Sequence, residues 1–194
     1  GRLSSTGIVN AAINNTGTID TANEINGNLS NSGVVNASGK ITGAVGNTGT
    51  GAINTTGALT IAGTLTNSSS NMAGVSIEAT ESLSATSITN DTGSFIVNAG
   101  TLSSTSPIDN HGRLSNTGIV NAAINNTGTL DTSNEITGTL SNSGVVNASG
   151  KITGGVGNTG SGAINTTGAL TISGTLTNSS SNIAGVSIEA AESL

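Results

Sequence analysis

The chain contains no cysteine, one phenylalanine as its only aromatic residue, and one proline among 194 residues. Without cysteine it can form no disulfide, no thiolate metal site and no cysteine nucleophile. Because large aromatic side chains are almost absent, a core has to be built from Ile, Leu, Val and Ala. Small side chains of this kind suit a narrow core, so the composition favours a thin interior whose opposing walls lie close together.

Charged residues are also scarce, and their balance excludes one class of partner. They form 7% of the sequence, with four Lys and Arg against ten Asp and Glu and a net charge of −6. Four cations cannot neutralise a nucleic-acid backbone, so we expect no nucleic-acid partner. No apolar run approaches the length of a membrane span, so we expect no membrane insertion of this segment. No signal peptide is visible at Gly1, and we expect any export signal to lie outside this segment.

A long internal repeat organises the sequence. Residues 1–83 align without gaps with residues 112–194 at an offset of 111, and ten of these 83 positions differ. The differences are mild, such as Ile19 against Leu130, and the apolar positions stay apolar. We therefore interpret residues 1–194 as one continuous segment of a longer repetitive chain, with long units at 1–111 and 112–194, the second of them incomplete.

A shorter period lies inside each long unit. Starting at Leu3, apolar residues follow spacings of 6, 4 and 6, and this 16-residue pattern occurs three times in succession. A helix would need a 3.6-residue spacing and would not tolerate Gly or Asn every few residues. A meander of hairpins would not keep a fixed column spacing. A parallel β-helix explains both the period and the turns, because each coil stacks on the last. We therefore predict an all-β fold, a parallel β-helix or β-solenoid, with about six coils in each 111-residue repeat.

One apolar column is predicted to form the core along the whole chain. Its steps are regular from Leu3 to Val35, are longest between Ile53 and Ile77, and return to the original length after Leu114. The longer steps require extra residues at corners, which we place in two predicted protruding loops, Thr66–Ala73 and its copy Thr177–Ala184. The predicted column comprises Leu3, Ile19, Val35, Ile53, Ile77, Val97, Leu114, Leu130, Val146, Ile164 and Ile188.

Polar turns separate the apolar positions, and Asn-Thr-Gly or Asn-Ser-Gly usually stands ahead of the column. We expect glycine to supply the positive φ that a sharp corner needs, and asparagine to tolerate it while hydrogen-bonding locally. The residue just after the column is polar, and stacked asparagines there can pass hydrogen bonds along the fibre. The predicted ladder and turn residues are Asn15, Gly17, Asn31, Gly33, Asn36, Asn54, Asn126, Gly128, Asn142 and Gly144.

One short pattern carries a resemblance to a known family. Gly138–Ile152 reads GTLSNSGVVNASGKI and Gly27–Ile41 is almost identical, which gives G-x-L-x-N-x-G-x-V-x-A-x-G-x-I in both. This pattern resembles the repeats of filamentous haemagglutinin-like exoproteins and related autotransporter adhesin passengers, and it covers about one coil in each long unit. The resemblance implies a right-handed parallel β-helix, exported across the bacterial outer membrane. It also implies an extracellular, rod-shaped adhesin shaft at the cell surface.

Few residues are available for metal binding. His111 is the only histidine; it lies in an Asn-His-Gly corner, and no second His or Cys is present to complete a zinc site. Calcium-binding β-rolls need a nonapeptide with paired Gly and an Asp in each turn, which this chain lacks. The region of Asp20 and Glu24 is the nearest approach to a calcium site. We expect no metal and no cofactor.

The densest acidic group consists of Glu78, Glu81 and Asp91, and Glu189 and Glu192 repeat the first two. Paired carboxylates can act as general acid and base in glycoside hydrolysis. Sites of that kind usually add Arg, Lys or aromatic platforms for sugar, and none is near these residues. We therefore expect no catalytic residue, and we interpret this group as a solvated face.

Three functional hypotheses follow from the sequence. The leading one is a non-catalytic extracellular structural protein, a stiff shaft of a cell-surface adhesin or fibre. The second is a self-assembling extracellular filament subunit, whose partners are further copies of its own repeat stacked end to end. The third, from another class, is a glycan-binding or glycan-cleaving β-helix that meets host or surface glycans with the 66–73 loops and the Glu78/Glu81 face.

Overall fold

Parallel strands stacked in successive coils make up the fold. In this computed structural model, which describes residues 1–189 and 193–194, the described residues form 24 strands and no helix. Every strand pair is parallel, and most strands pair with one two or three strands further along the chain. Each turn of the chain therefore lies on the one before, giving a β-solenoid of about ten coils with about 18 residues per coil. The predicted parallel β-solenoid is confirmed.

Each coil contributes to three stacks of strands. The first stack starts at Arg2–Ser5, the second at Val9 and the third at Ile13–Asn15. The strands in chain order are β1 Arg2–Ser5, β2 Ile13–Asn15, β3 Thr18–Thr21, β4 Glu24–Ile25, β5 Leu29–Asn31, β6 Val34–Ile41, β7 Val45–Gly49, β8 Ala52–Ser69, β9 Val75–Ile77, β10 Ser82–Asn90, β11 Phe95–Asn98, β12 Thr101–Ser104, β13 Ile108–Asn110, β14 Arg113–Asn116, β15 Ile119–Asn121, β16 Ile124–Asn126, β17 Thr129–Thr132, β18 Glu135–Ile136, β19 Leu140–Asn142, β20 Val145–Ile152, β21 Val156–Asn158, β22 Ala163–Ile172, β23 Leu176–Asn178 and β24 Val186–Ser187. The longest strand, β8, passes through all three stacks without a break.

The first stack carries a continuous inner column of aliphatic side chains. From Ile19 to Ile164 its members are at most 2% exposed, whereas Leu3 in the first coil is 37% exposed. The column passes from Leu3 to its equivalent Leu114 in six coils, as predicted for one long unit. It comprises Leu3, Ile19, Val35, Ile53, Val75, Ile96, Leu114, Leu130, Val146, Ile164 and Val186.

Three residues of the predicted column lie outside it. Ile77 is buried, but it lies beyond the column in the same strand and pairs with Asn98. Val97 pairs with outward-facing Ser76, because alternate residues of a strand face opposite sides and Ile96 takes the inner position. Ile188 is 49% exposed, and Val186 takes its place.

The prediction was wrong at these places because it misplaced the ends of the longer coils. It continued the fourth coil to Ile77, whereas the chain returns to the column at Val75. It made the same error in the second unit, where the return is at Val186. Several aliphatic residues lie close together in both segments, so the apolar pattern alone does not fix which of them faces inward.

The extra residues of the fourth coil are divided between a bulge and a loop. Ala37 and Gly39 pair with Thr55 and Leu59, so β8 gains its additional residues at this bulge. The predicted loop Thr66–Ala73 is shorter than expected, because β8 continues to Ser69 and only residues 70–74 leave the strand. Its tip exposes apolar side chains in both units, with Met72 at 77% and Ile183 at 106%.

The second and third stacks complete the core. In the second stack Val9 pairs with Ile25, and Ile25 with Ile41. In the third stack Ile13 pairs with Leu29, and this column continues through every described coil to Leu176. Three inward aliphatic residues per coil are what the 6 and 4 spacing predicts. The described residues contain no helix long and apolar enough to cross a membrane.

Candidate functional site: an asparagine ladder and two equivalent grooves

A ladder of asparagines runs inside the third stack, just after its apolar column, and all of its members are buried except Asn178 in the last described coil. In each described step, the side-chain Nδ2 of one asparagine donates to Oδ1 of the asparagine in the next coil, at 2.7–2.9 Å. All of the described bonds point in the same direction along the chain. The ladder residues are Asn15, Asn31, Asn47, Asn67, Asn90, Asn110, Asn126, Asn142, Asn158 and Asn178.

Each amide in the ladder is also bonded to the main chain of the corner. Asn31 Nδ2 donates to the carbonyls of Gly33 and Ala52, both at 3.1 Å, and the Gly33 N–H donates back to Asn31 Oδ1 at 3.2 Å. The side chain is 1% exposed. A buried polar group that loses its partner costs roughly 1–3 kcal/mol. Each ladder residue therefore depends on the coils above and below it, which ties successive coils into one register.

Sequence reasoning placed the ladder only in part. Asn15, Asn31, Asn126 and Asn142 belong to it, although they were interpreted first as turn residues. The signal that could have found the rest is the recurring sequence of an aliphatic residue, one polar or small residue and then Asn in every coil. The continuation that was missed consists of Asn47, Asn67, Asn90, Asn110, Asn158 and Asn178.

The predicted glycines act through close approach rather than through positive φ. None of Gly17, Gly33, Gly128 and Gly144 is among the glycines that adopt positive φ, so that part of the prediction was wrong. A Cβ at Gly33 would collide with the Gly17 carbonyl oxygen of the coil below, and the same collision relates Gly144 to Gly128. The neighbouring N–H of Val34 donates to that Gly17 oxygen at 2.8 Å. Glycine is needed because successive corners stack backbone on backbone.

Asn36 and Asn54 belong to a second, short ladder on the outside of the first stack. Asn36 Nδ2 donates to Asp20 Oδ1 at 2.7 Å, and Asn54 Nδ2 donates to Asn36 Oδ1 at 2.9 Å. The row ends there, because the next outer residue is Ser76. The second unit repeats the arrangement at 2.7 and 3.0 Å with Asp131, Asn147 and Asn165.

An arginine completes this row in each unit, and sequence reasoning gave it no role. Arg2 Nε lies 2.7 Å from Asp20 Oδ2, and Arg113 Nε lies 2.6 Å from Asp131 Oδ2. The hydrogen bond from Asn36 is the largest cause that holds the pKa of the Asp20 carboxyl below its ordinary value of 3.8, followed by the hydrogen bond from Arg2 and then by the positive charge of Arg2. The carboxylate is therefore ionised near neutral pH.

A shallow groove lies beside each of these rows. Groove 1 has a volume of about 220 Å³ and groove 2 about 260 Å³. Every residue that lines groove 1 has its equivalent from the second long unit in groove 2, which adds Arg113. The pairs are Ser4/Ser115, Ser5/Asn116, Thr6/Thr117, Asp20/Asp131, Thr21/Thr132, Ala22/Ser133, Asn36/Asn147 and Thr56/Thr167.

The two glutamates considered for catalysis, Glu78 and Glu81, each accept a hydrogen bond from a different hydroxyl group. Glu81 accepts a hydrogen bond from the Thr55 hydroxyl at 2.5 Å, and Glu78 accepts one from Ser76 at 3.4 Å. In the part of the chain that the structure describes, no three His, Cys, Asp or Glu residues are grouped so that they could hold a metal ion. Glu189 is exposed, and Glu192 lies outside the described residues.

The single histidine belongs to a corner as predicted from its Asn-His-Gly context. His111 is exposed, and its Nδ1 lies 2.7 Å from the Thr127 hydroxyl of the next coil. Thr127 occupies the equivalent corner position one coil later. The contact is therefore a link between stacked corners.

Comparison with known proteins gives no match, whether with family models, with curated proteins or with solved structures. The class is therefore defined by the fold alone, which is that of a parallel β-solenoid repeat protein.

Proposed function

We propose that this chain is a non-catalytic structural protein, a stiff extracellular shaft of a cell-surface adhesin or fibre. The observation that supports it best is the unbroken ladder from Asn15 to Asn178, which runs across the boundary between the two long units. A rod held by one uninterrupted set of hydrogen bonds resists bending at every coil. Its mechanism is mechanical: it holds whatever it carries at a fixed distance from a surface.

The repeat structure supports a role in which length matters. The strand pair that joins Ile96 to Leu114 connects the units with the same parallel geometry that is found inside each unit. Gain or loss of a whole unit would therefore change the length of the rod without changing its cross-section. The absence of cysteine and the adhesin-like pattern at Gly27–Ile41 are consistent with an exported location.

The shaft proposal is tested by adding one copy of residues 1–111 in register and measuring rod length by electron microscopy. Six coils spaced by about 4.8 Å should lengthen the rod by roughly 29 Å. A matched variant in which the added copy has a scrambled sequence should not lengthen it by this amount. Rods of unchanged length after the in-register insertion would contradict the proposal. Labelling of intact source cells with an antibody against the chain tests the surface location.

A second candidate is an extracellular filament in which separate chains stack. The regular junction between the two units favours it, because one unit accepts the next with ordinary parallel pairing. Sedimentation over a hundredfold range of concentration separates the candidates. A constant mass supports the single-chain shaft, whereas a mass that grows with concentration supports the filament.

A further inference from the structure

We propose that grooves 1 and 2 are a repeated binding site for an uncharged carbohydrate, with one sugar unit in each groove. The proposal does not depend on the shaft function. It differs from the glycan hypothesis drawn from the sequence, which used the Glu78/Glu81 face and the 66–73 loops.

The polar row of each groove is held in a fixed orientation before any ligand arrives. Asp20 accepts from Asn36 through one oxygen and from Arg2 through the other, both at 2.7 Å. Asn36 in turn accepts from Asn54 at 2.9 Å. A carboxylate has about four lone-pair sites, so two of those on Asp20 are still available to accept from ligand hydroxyls. Side chains that are already oriented lose little freedom on binding.

Free hydroxyl groups surround this row in groove 1, whereas in groove 2 the Thr117 hydroxyl donates to the Asn98 carbonyl at 3.5 Å. Ser4, Thr6 and Thr56 line groove 1, and their side-chain hydroxyls make no hydrogen bond to another described residue. All three are exposed. Each hydroxyl can donate once and accept twice. A ring of groups that both donate and accept, around a fixed carboxylate, complements the hydroxyls of a sugar, which also do both.

The local charge disfavours ions of either sign. Each groove has one carboxylate, and a guanidinium is bonded directly to it: Arg113 lines groove 2, and Arg2 lies beside groove 1 without lining it. The guanidinium repels a cation at the only carboxylate, and Glu24 does not line the groove. An anion would meet the carboxylate itself. An uncharged polar ligand meets neither repulsion.

The repetition compensates for the small size of each site. Volumes of about 220 and 260 Å³ lie below the roughly 300–1,000 Å³ of pockets for drug-sized ligands, so one groove alone binds weakly. The two grooves recur on the same stack, six coils apart, which corresponds to roughly 29 Å along the rod. Two weak sites on one rigid body gain avidity of about 10²–10⁴ towards a polymer that reaches both.

The test measures binding of chain 1–194 to immobilised mannan, dextran, galactan and β-glucan by surface plasmon resonance, with heparin as the anionic comparison. We expect binding to at least one neutral polymer and no binding to heparin. EDTA should not change the binding to the neutral polymer. Asp20→Ala alone should weaken the apparent affinity by roughly 100-fold, because avidity is lost. The double variant Asp20→Ala/Asp131→Ala should abolish binding.

Asp109→Ala is the matched control. Like Asp20, Asp109 is an outward aspartate that accepts a hydrogen bond from an asparagine, in this case Asn125 at 2.9 Å. Unlike Asp20, it lies on the third stack and lines neither groove. It should bind like the parent. The isosteric pair Asp20→Asn/Asp131→Asn keeps the packing, and circular dichroism with thermal melting establishes that each variant is folded. No binding to any neutral polymer, or full binding by a folded double variant, overturns the proposal. Equal binding to heparin, or loss of binding with EDTA, overturns the assignment of an uncharged ligand.

Discussion

At the scale of single residues, the solenoid depends on side chains that bond to their own equivalents in the next coil. Asn142 shows this most clearly, since it accepts from Asn126 and donates to Asn158, both at 2.8 Å. The contribution of Asn142 to stability cannot be assigned to one contact, because neighbouring hydrogen bonds in such a chain are coupled and polarise one another.

Asn142→Ala should lower the free energy of unfolding by about 2–6 kcal/mol, since a donor on Asn126 and an acceptor on Asn158 both lose a buried partner at about 1–3 kcal/mol each. Urea denaturation followed by circular dichroism measures it. Asn147→Ala is the control, because Asn147 belongs to the half-buried outer row. Equal losses of stability in the two variants would show that the inner ladder stabilises the fold no more than the outer row does.

The Asp20 carboxyl should titrate below 3.8, and Asn36→Ala should raise its midpoint towards that value, because the hydrogen bond from Asn36 is the largest single cause of the lowered pKa. Arg2→Ala should raise the midpoint as well, because it removes both a hydrogen bond and a positive charge. Carboxyl ¹³C NMR measures both midpoints. Since the folded pKa is depressed, the stabilisation from this group is present above 3.8 and is lost as pH falls through the folded value. An unchanged midpoint in Asn36→Ala would contradict the assignment of its hydrogen bond as the largest cause.

At the scale of strands and corners, the fold is governed by alternation along a strand and by close stacking at a corner. Val35 is fully buried, whereas its neighbour Val34 is 36% exposed. Gly33 lies against the backbone of the coil below, whereas a Cβ at Gly46 would meet nothing within 4 Å. Each pair offers a test and its control within the same part of the chain.

Val35→Asp should destabilise the protein by about 3–5 kcal/mol, because it leaves a buried charge without a partner. Val34→Asp places the same charge on the outside and should change stability by no more than about 0.5 kcal/mol. Thermal and urea unfolding of both variants measure the difference. Similar melting of the two would mean that the inner and outer assignments of β6 are wrong.

Gly33→Val should disrupt its corner, because the new side chain collides with the Gly17 carbonyl that accepts the Val34 N–H. We expect a loss of more than about 2 kcal/mol, in the range of severe overpacking. Gly46→Ala should be nearly neutral. Hydrogen exchange at Val34, measured by NMR, reports the corner directly, and unchanged protection there in Gly33→Val would contradict the explanation.

The register of the strands also shows which core positions could be predicted from the sequence and which could not. Columns through Leu3, Ile19 and Val35 were predictable because a regular period leaves one choice of register. Val75 and Ile96 were not, because both lie beside another aliphatic candidate and the insertions before them fall at a bulge and a loop that no period specifies.

The grooves were missed for a related reason. Arg2 and Asp20 belong to consecutive coils and are distant in the sequence, so only the stacking of the two coils brings their side chains together. Neither residue belongs to a local motif that would mark it as part of a site. A contact of this kind becomes predictable only after the register of the first stack is known.

At the scale of the whole molecule, stability is a sum over similar coils and their contacts with neighbours. Apart from the first and last described coils, each coil buries at least three inner aliphatic residues and one ladder asparagine, so the inner coils are held in similar ways. A change that removes a complete coil should therefore be tolerated, whereas one that removes part of a coil should not.

Deletion of residues 18–33 should leave a folded rod, because Val35 then stacks on Leu3 and Asn47 on Asn15 with the original step between coils. The rod should shorten by about 4.8 Å, and unfolding should stay cooperative with a similar midpoint. Deletion of residues 18–25 is the control, since it removes half a coil and shifts every later column. Circular dichroism and thermal melting compare the two, and equal loss of structure would contradict a coil-by-coil assembly.

The one-way direction of the inner ladder also restricts symmetry. Every described bond runs from Nδ2 of one coil to Oδ1 of the coil that follows it in the sequence, so the rod has a donor face and an acceptor face across any section. Two rods related by a twofold axis would bring acceptor against acceptor or donor against donor. An association that continues the ladder must therefore be heterologous and head to tail, and it cannot close into a dimer.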